Sequence, residues 1–323
     1  MPDLRPATLA EIHSAARRLQ GLALRTPLVR LNVENAAARI YLKMENLQAI
    51  GSFKIRPAGS TILNIPTEQL AQGVYTASSG NMAQGVAYAA RQLGIPATVF
   101  LPENAAAIKV AALQRLGADI KFLPDAEWWH LINQHGQADF PGSFIHPVAS
   151  QDVLAGNGTI GLEIFEDLPD VDTVLVPFGG GGLSCGIASA FRELNPQVKV
   201  IACESAHCAP LSAAIAADEP VQLPCPGSFI SGIGIGRVLD EMWPLTRNLI
   251  HGTAVVGVDD IANTIRVLLE RHRVLAEGAG AASVAAALAG QGGSGNVVCV
   301  ISGGNLDNKY LLDVLAGRTP GTQ

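Results

Sequence analysis

From about residue 70 onward, short runs of consecutive apolar residues alternate with longer stretches whose apolar positions recur every three or four residues. The run GVYTA leads into a helical pattern over 78–93 that Gly94 stops, and PATVFLP follows it. AIKVAALQRLGAD has the helical period again and ends at Gly117, before the run DIKFLP. Strand-length runs joined by single helices through short loops, with Gly at the helix C-terminal ends, are βαβ units. A second series begins at DTVLVPF (172–178). It continues through the helix LSCGIASAFREL, the strand VKVIACE and a long helical region from Asp259 to Gly290. NVVCVIS (296–302) is the last clear strand. Between the two series, AEWWHLINQHGQADFPGSFIHP ends in loop chemistry and reads as a crossing between domains. The pattern predicts an α/β protein of two doubly wound open-sheet domains. In such sheets ligands bind beyond the carboxyl ends of the strands. Three unusual turns, SSGN, FGGGG and SGGN, sit at such ends.

Composition agrees with that class and removes others. The 323 residues are 48% apolar and 15% charged, enough for a large core, and 34 glycines with only 5% aromatics suit helices packed closely on a parallel sheet. A net charge of −6 with no basic run argues against nucleic acid or anionic membrane as a partner. The polar start MPDLRPATLAEI offers a capping box in Thr8 and Glu11, so no secretory signal is expected. GAGAASVAAALAG is too short, and too rich in small residues, to span a bilayer. Cys185, Cys203, Cys208, Cys225 and Cys299 show no C-x-x-C spacing and read as small buried hydrophobes in a reducing cytosol. The seven histidines form no H-x-H or H-E-x-x-H, so a catalytic zinc finds no support and no metal site is expected.

The turns carry the chemistry. SSGN precedes a helix whose free N–H groups and dipole suit an anion, although no Lys or Arg lies in the turn. In PFGGGGLSCG (177–186) four glycines let the backbone fold around a ligand and aim its N–H groups inward, as for a phosphate. The G-x-G-x-x-G spacing fails there and no G-K-[ST] follows, which disfavours NAD and ATP. The same segment contains G-L-S-C-G, a formal nucleophile elbow at Ser184, with Glu204 or Asp240 and then His251 or His272 as triad partners. In NLQAIGSFKIRPAG, Ser52 is placed to cap a helix beginning near Lys54, with Pro57 in its first turn. A lysine at a helix start loses charge stabilisation, as a Schiff-base or general-base lysine requires.

In that order, SFKIRPA, SSGNMAQG, the tetraglycine turn and SGGN resemble the fold type II pyridoxal-phosphate enzymes, more narrowly the threonine/serine dehydratase and serine racemase group. The resemblance covers nearly the whole chain. It implies a tryptophan synthase β-like fold, with a small domain (45–142) inserted in a large one (1–44 plus 143–323) and pyridoxal phosphate (PLP) in the cleft. Lys54 matches the lysine bonded to the cofactor, and Phe53 the residue lying against it. Asn81 matches the partner of the ring hydroxyl, and Gly179, Gly180, Gly181, Gly182 and Leu183 the phosphate loop. Ser302 matches the residue facing the pyridine nitrogen. Ser78, Ser79, Gly80, Asn81 and Met82 match the turn that receives the substrate carboxylate, and Ser79 also matches the serine that in the racemases faces Cα opposite the lysine. The implied reaction is β-elimination from threonine, serine or a bulkier β-substituted serine such as phenylserine, giving a 2-oxo acid and ammonia. An amino-acid racemase is the alternative, and a serine hydrolase using Ser184 a further one. Similar enzymes are cytoplasmic homodimers.

The chain departs from that group in places. Met82 stands where a histidine is usual, and the apolar DAEWWHLI stands where the racemases carry an arginine toward the substrate. Both point to a less polar pocket and a bulkier β substituent than that of serine, unless Met82 packs beneath the turn. In ACESAHCAP, Glu204 and the Cys208 carbonyl match two ligands of the racemases' divalent cation, but Pro210 replaces the expected aspartate, so no firm Mg²⁺ requirement follows. CPGSFISGIGIGRV (225–238) reads as a loop beside the cleft, with Arg237 either a substrate contact or an ordinary surface group. No C-terminal regulatory domain is expected after the SGGN strand.

Overall fold

The computed structural model describes residues 4–321 apart from Asn35, Asn104 and Ala106; the first three residues of the polar start lie outside that range. The strands are β1 (Leu28–Arg30), β2 (Ala38–Lys43), β3 (Val74–Ala77), β4 (Ala97–Pro102), β5 (Asp119–Leu123), β6 (Ser143–Phe144), β7 (Thr173–Pro177), β8 (Lys199–Ser205), β9 (Gly252–Val256) and β10 (Gly295–Val300). They form a six-stranded sheet in the order β1-β2-β10-β7-β8-β9 and a four-stranded sheet in the order β5-β4-β3-β6. All pairings are parallel except β1 with β2.

Successive side chains of β10 enter opposite cores, which is why the strand runs show no polar alternation. Val297 and Cys299 pack with Leu175, Cys203 and the helices Val258–His272 and Gly278–Leu288. Val298 and Val300 pack with Val174, Val176, Val200 and the helices Leu9–Arg18, Gln151–Asp167 and Gly182–Leu194. The last two helices touch through their small residues: a Cβ on Gly186 would stand 2.5 Å from the Asn157 Cβ. In the smaller sheet all of β3 is buried, between the Asn81–Leu93 helix and an aromatic cluster of Tyr75, Phe100, Phe140 and Phe144. β6 pairs Ser143 with Val74, so this sheet draws its fourth strand from residues just past 142.

The Thr8–Glu11 capping box is present, and Gly94 ends the Asn81–Leu93 helix in the left-handed conformation at φ 68°. Other local expectations fail for physical reasons. The helical region from Asp259 is two helices, because Arg273 turns left-handed at φ 59° and the chain then has no regular structure up to Glu277, the N-cap of the second. Ser52 caps nothing: its hydroxyl is buried without a partner, and Lys54 itself is the N-cap of the Ile55–Ile62 helix. Among the described residues no helix is long and apolar enough to cross a membrane.

Candidate active site

The three turns at strand ends meet in one cavity of about 560 Å³. Phe53, Lys54, Ser78–Met82, Gly179–Leu183 and Ser302 all border it. A cavity of similar size, about 570 Å³, shares none of its residues and touches none of these turns.

Lys54 is placed by the helix it starts. Two residues on, Arg56 is 2% exposed and holds two carboxylates, with Nε and Nη2 on Glu45 at 2.8 Å and Nη1 on Glu163 at 2.7 Å. Lys43 Nζ reaches the same Glu163 at 2.5 Å, and Thr26 donates its hydroxyl to Glu45 at 2.6 Å. This network bolts the Ile55–Ile62 helix to β2 and to the Gln151–Asp167 helix. Pro57, third residue of its helix, removes an N–H that has no intrahelical partner. Lys54 Nζ donates to the Pro147 carbonyl at 2.7 Å and lies 5.1 Å from the Phe53 ring centroid. With no carboxylate beside it among the described residues, desolvation pulls its ammonium down to about 8.

The glycine turn is a cradle at the start of a 13-residue helix. Gly181 is left-handed at φ 90°, and a Cβ on Gly179 would stand 2.2 Å from the Gly232 carbonyl oxygen. A Cβ on Gly180 would likewise strike the Val148 side chain at 2.6 Å, so only glycine allows this path. The free N–H groups of the helix start at Gly182 and Leu183 border the cavity, which fits a phosphate. In the SSGN turn Ser78 Oγ accepts from the Gly80 N–H at 3.3 Å, and the Ser79 hydroxyl has no partner among the described residues. Asn81 opens the next helix. Its Nδ2 donates to Glu277 Oε1 at 2.7 Å and its Oδ1 accepts from Asn305 Nδ2 at 2.8 Å. Primary amine, phosphate cradle and an amide on the cavity wall together fit PLP. Gly179–Leu183 would be the place for its phosphate and the Lys54 amine for its aldehyde.

Sequence reasoning missed Glu277. It is 4% exposed, and burial raises its carboxyl to about 7 against the Asn81 hydrogen bond. The only local hint was the glycine-flanked break in LAEGAG. Also missed as cavity residues were Asn305, Lys109, Gln222 and Leu223. Met82 borders the cavity, but its side chain is 2% exposed and packs with Ala58, Ile62, Val86 and Ile145 beneath the turn. The apolar wall comes instead from Trp128, Trp129 and Ile132 of the DAEWWHLI segment, where Trp128 is fixed by its Nε1–H on the Phe100 carbonyl at 2.9 Å.

The other candidates are not assembled into a site. Ser184 is fully buried and donates to the Gly181 carbonyl at 3.1 Å. His251 accepts from the Val200 N–H and His272 from the Asn32 N–H, so neither serves Ser184. Both Glu204 oxygens are spent on the Leu211 and Ser212 N–H groups and the Ser212 hydroxyl, capping the Pro210–Ala217 helix. Arg237 bonds the Pro220 carbonyl and Asp240.

His135, His146 and Glu241 cluster beside the cavity, with His135 Nε2 2.7 Å from Glu241. The two rings are stacked, centroids 4.3 Å apart and 20° from parallel, so their in-plane lone pairs cannot converge on one ion. His146 Nδ1 accepts the Val148 and Ala149 N–H groups, which leaves its one proton on Nε2. Burial holds His146 neutral down to about 3. An unfolded histidine titrates near 6.5. Between those values the unfolded chain binds a proton that the native chain refuses, so stability falls as pH drops from about 6.5 toward 3. Thermal melts from pH 7 to 4 are expected to show this loss, and His146→Asn, which keeps the acceptor, to flatten it. Equal slopes for the two proteins refute the assignment.

The model of the family described as pyridoxal-phosphate dependent enzyme matches residues 19–303. The chain is 41% identical to an L-threonine ammonia-lyase of Geobacter sulfurreducens, over 95% of this chain and 77% of that one. It is 36% identical to the catabolic L-threonine dehydratase of Escherichia coli, over 94% of each. Maize serine racemase superposes with a TM-score of 0.89 at 31% identity, covering 97% of this chain and 98% of that one. With the tryptophan synthase β-like architecture and a family match over residues 19–303, the chain belongs to the pyridoxal-phosphate dependent enzymes.

Proposed function

We propose that the protein is a hydroxy-amino-acid dehydratase, an ammonia-lyase that converts a β-hydroxy amino acid to a 2-oxo acid and ammonia. The observation that carries this reading is Lys54, a desolvated amine with no carboxylate partner among the described residues, in the same cavity as the glycine turn. Bound PLP supplies the electron sink for chemistry at Cα. Near neutral pH, an amine lowered to about 8 can both take a proton from Cα and return one. Ser78, Ser79 and the N–H groups opening the Asn81–Leu93 helix offer the substrate carboxylate an anion site without a cation. Asn81, held between Glu277 and Asn305, presents a fixed amide toward the cofactor's ring hydroxyl. Relatives named for threonine deamination support the reaction class. The free Ser79 hydroxyl is the observation that favours racemisation as a second reading, and release of the D-enantiomer without oxo acid would replace the first by it.

The same reading treats residues 45–142 as a small domain inserted in one built from 1–44 and 143–323; the two separate sheets support the division, with the boundary moved past β6, which pairs in the smaller sheet. It makes the enzyme a cytoplasmic homodimer, with the net charge of −6 arguing against a nucleic-acid partner. The tryptophan wall favours an apolar β substituent. Oxo-acid release assayed with serine, threonine and phenylserine is expected to favour the bulkier substrates. Trp129→Ala is expected to lower kcat/KM for phenylserine roughly 10-fold while leaving serine within about twofold. A clear preference for serine overturns the specificity, and no oxo acid from any of the three overturns the reaction.

A further inference from the structure

The cysteines do not all behave as buried hydrophobes. Cys185, Cys203 and Cys299 are free and fully buried, and desolvation pushes the Cys185 thiol up to about 12 and raises the other two as well. Cys208 and Cys225, in contrast, form a disulfide across a Cα–Cα distance of 5.2 Å. Cys208 follows β8, and Cys225 lies in a strap, residues 220–228, with no regular secondary structure. Gln222, Leu223 and Cys225 of that strap form part of the wall of the active cavity. Apart from the disulfide, the strap is tied down by few bonds. Leu223 N–H donates to the Gly236 carbonyl at 2.8 Å, Arg237 holds the Pro220 carbonyl at 2.8 Å, and His207 Nε2 lies 2.5 Å from the Pro226 carbonyl oxygen.

We propose that Cys208–Cys225 is a thiol–disulfide exchange site through which low-molecular-weight thiols control the substrate rim of the cavity. In a reducing compartment a disulfide is more often reversible than structural. Cys225 is partly exposed and Cys208 is only 3% exposed, so an incoming thiolate attacks the Cys225 sulfur. The S–S bond breaks, a mixed disulfide forms at Cys225, and Cys208 leaves as a thiolate that takes a proton. A second thiolate attacks the outer sulfur of the mixed disulfide, releasing Cys225 and a low-molecular-weight disulfide. Two thiols are oxidised and the protein disulfide gains two electrons. The freed strap then has to be ordered again by each substrate that binds, while Lys54, the SSGN turn and the glycine cradle stay on their own helices. The effect therefore falls on KM rather than kcat.

The test uses the full-length, PLP-loaded enzyme equilibrated in oxidised and reduced glutathione. Maleimide labelling and peptide mass analysis read the Cys208–Cys225 bond, limited proteolysis reads the strap, and steady-state rates read KM and kcat. Reduction is expected to speed cleavage within 220–228 and to raise KM about fivefold or more, with kcat within about twofold, because preorganisation is lost. Cys225→Ser and Cys208→Ala, made separately in case one fails to fold, are each expected to show the reduced behaviour under both conditions. Oxidised enzyme without the bond, or strap cleavage indifferent to reduction, overturns the proposal whether or not any amino acid is turned over. Faster cleavage with an unchanged KM overturns the link to the cavity.

Discussion

Lys54→Ala is expected to give a folded protein whose turnover of any β-hydroxy amino acid falls by about 10³-fold or more, since proton transfer by a positioned group is worth roughly 10²–10⁴-fold. The visible absorbance of bound cofactor should be lost or markedly altered in the same variant. Its thermal stability without cofactor should match or exceed that of the parent. The sign follows from the amine's pKa, lowered by desolvation to about 8 from an unfolded value near 10.4. At pH 7 the native chain holds a proton on a desolvated amine at a cost, and that cost fades as pH rises through the window between the two values. Removing the amine removes the cost. Turnover within about 10-fold of the parent, measured as oxo-acid release under saturating PLP, would remove Lys54 from the proton-transfer role.

The second large effect is on stability. Arg56→Leu leaves Glu45 and Glu163 buried with only Lys43 between them, so a loss of about 3–5 kcal/mol is expected, the usual cost of breaking a buried ion network on one side. Glu45 shows how tightly the pair is coupled: burial would raise its carboxyl, yet Arg56 and its other partners bring it below the usual range. Urea unfolding with an unchanged m-value measures the loss. A change below about 1 kcal/mol would mean that water or rearrangement replaces the guanidinium. Because Arg56 lies two residues from Lys54 and anchors the helix that Lys54 starts, the surviving folded fraction should also be less active than the parent.

Much of the site was legible because turns at strand ends are dictated locally. Four glycines permit a backbone path that no side chain allows, and Lys54 stands beside a Gly-Ser-Phe turn that only a helix start explains. Glu277 was not legible, because its place in the cavity depends on where two helices break, and the breaking residue is Arg273 in a conformation its type rarely adopts. Met82 is the opposite case. As a departure from a motif it pointed to specificity, yet the three-dimensional neighbours of the turn make it core, and the tryptophans of the DAEWWHLI segment form the wall. β1, β2, β6 and β9 escaped the pattern for related reasons. β1 and β6 are three and two residues long, and β2 reads as charged at both ends because its Lys43 is buried only through an ion pair. The Cys208–Cys225 pairing escaped because two thiols in separate loops carry no periodicity at all.

The register at the middle of the larger sheet has a consequence for how the chain is made. β2 is flanked by the short β1 on one side and by β10 on the other, with Ala38 opposite Gly295. As the chain leaves the ribosome, β2 emerges well before β10 and waits for a neighbour that follows all the other strands in between. The smaller sheet needs only segments between β3 and β6 and can close in the meantime. Long-range pairings of this kind are intrinsically slow, and unpaired apolar strands attract other chains. β2 has arginine and lysine in the strand itself, Arg39 and Lys43, with Arg30 across from it on β1. Charges placed on a waiting edge discourage association with other nascent chains until its partner arrives.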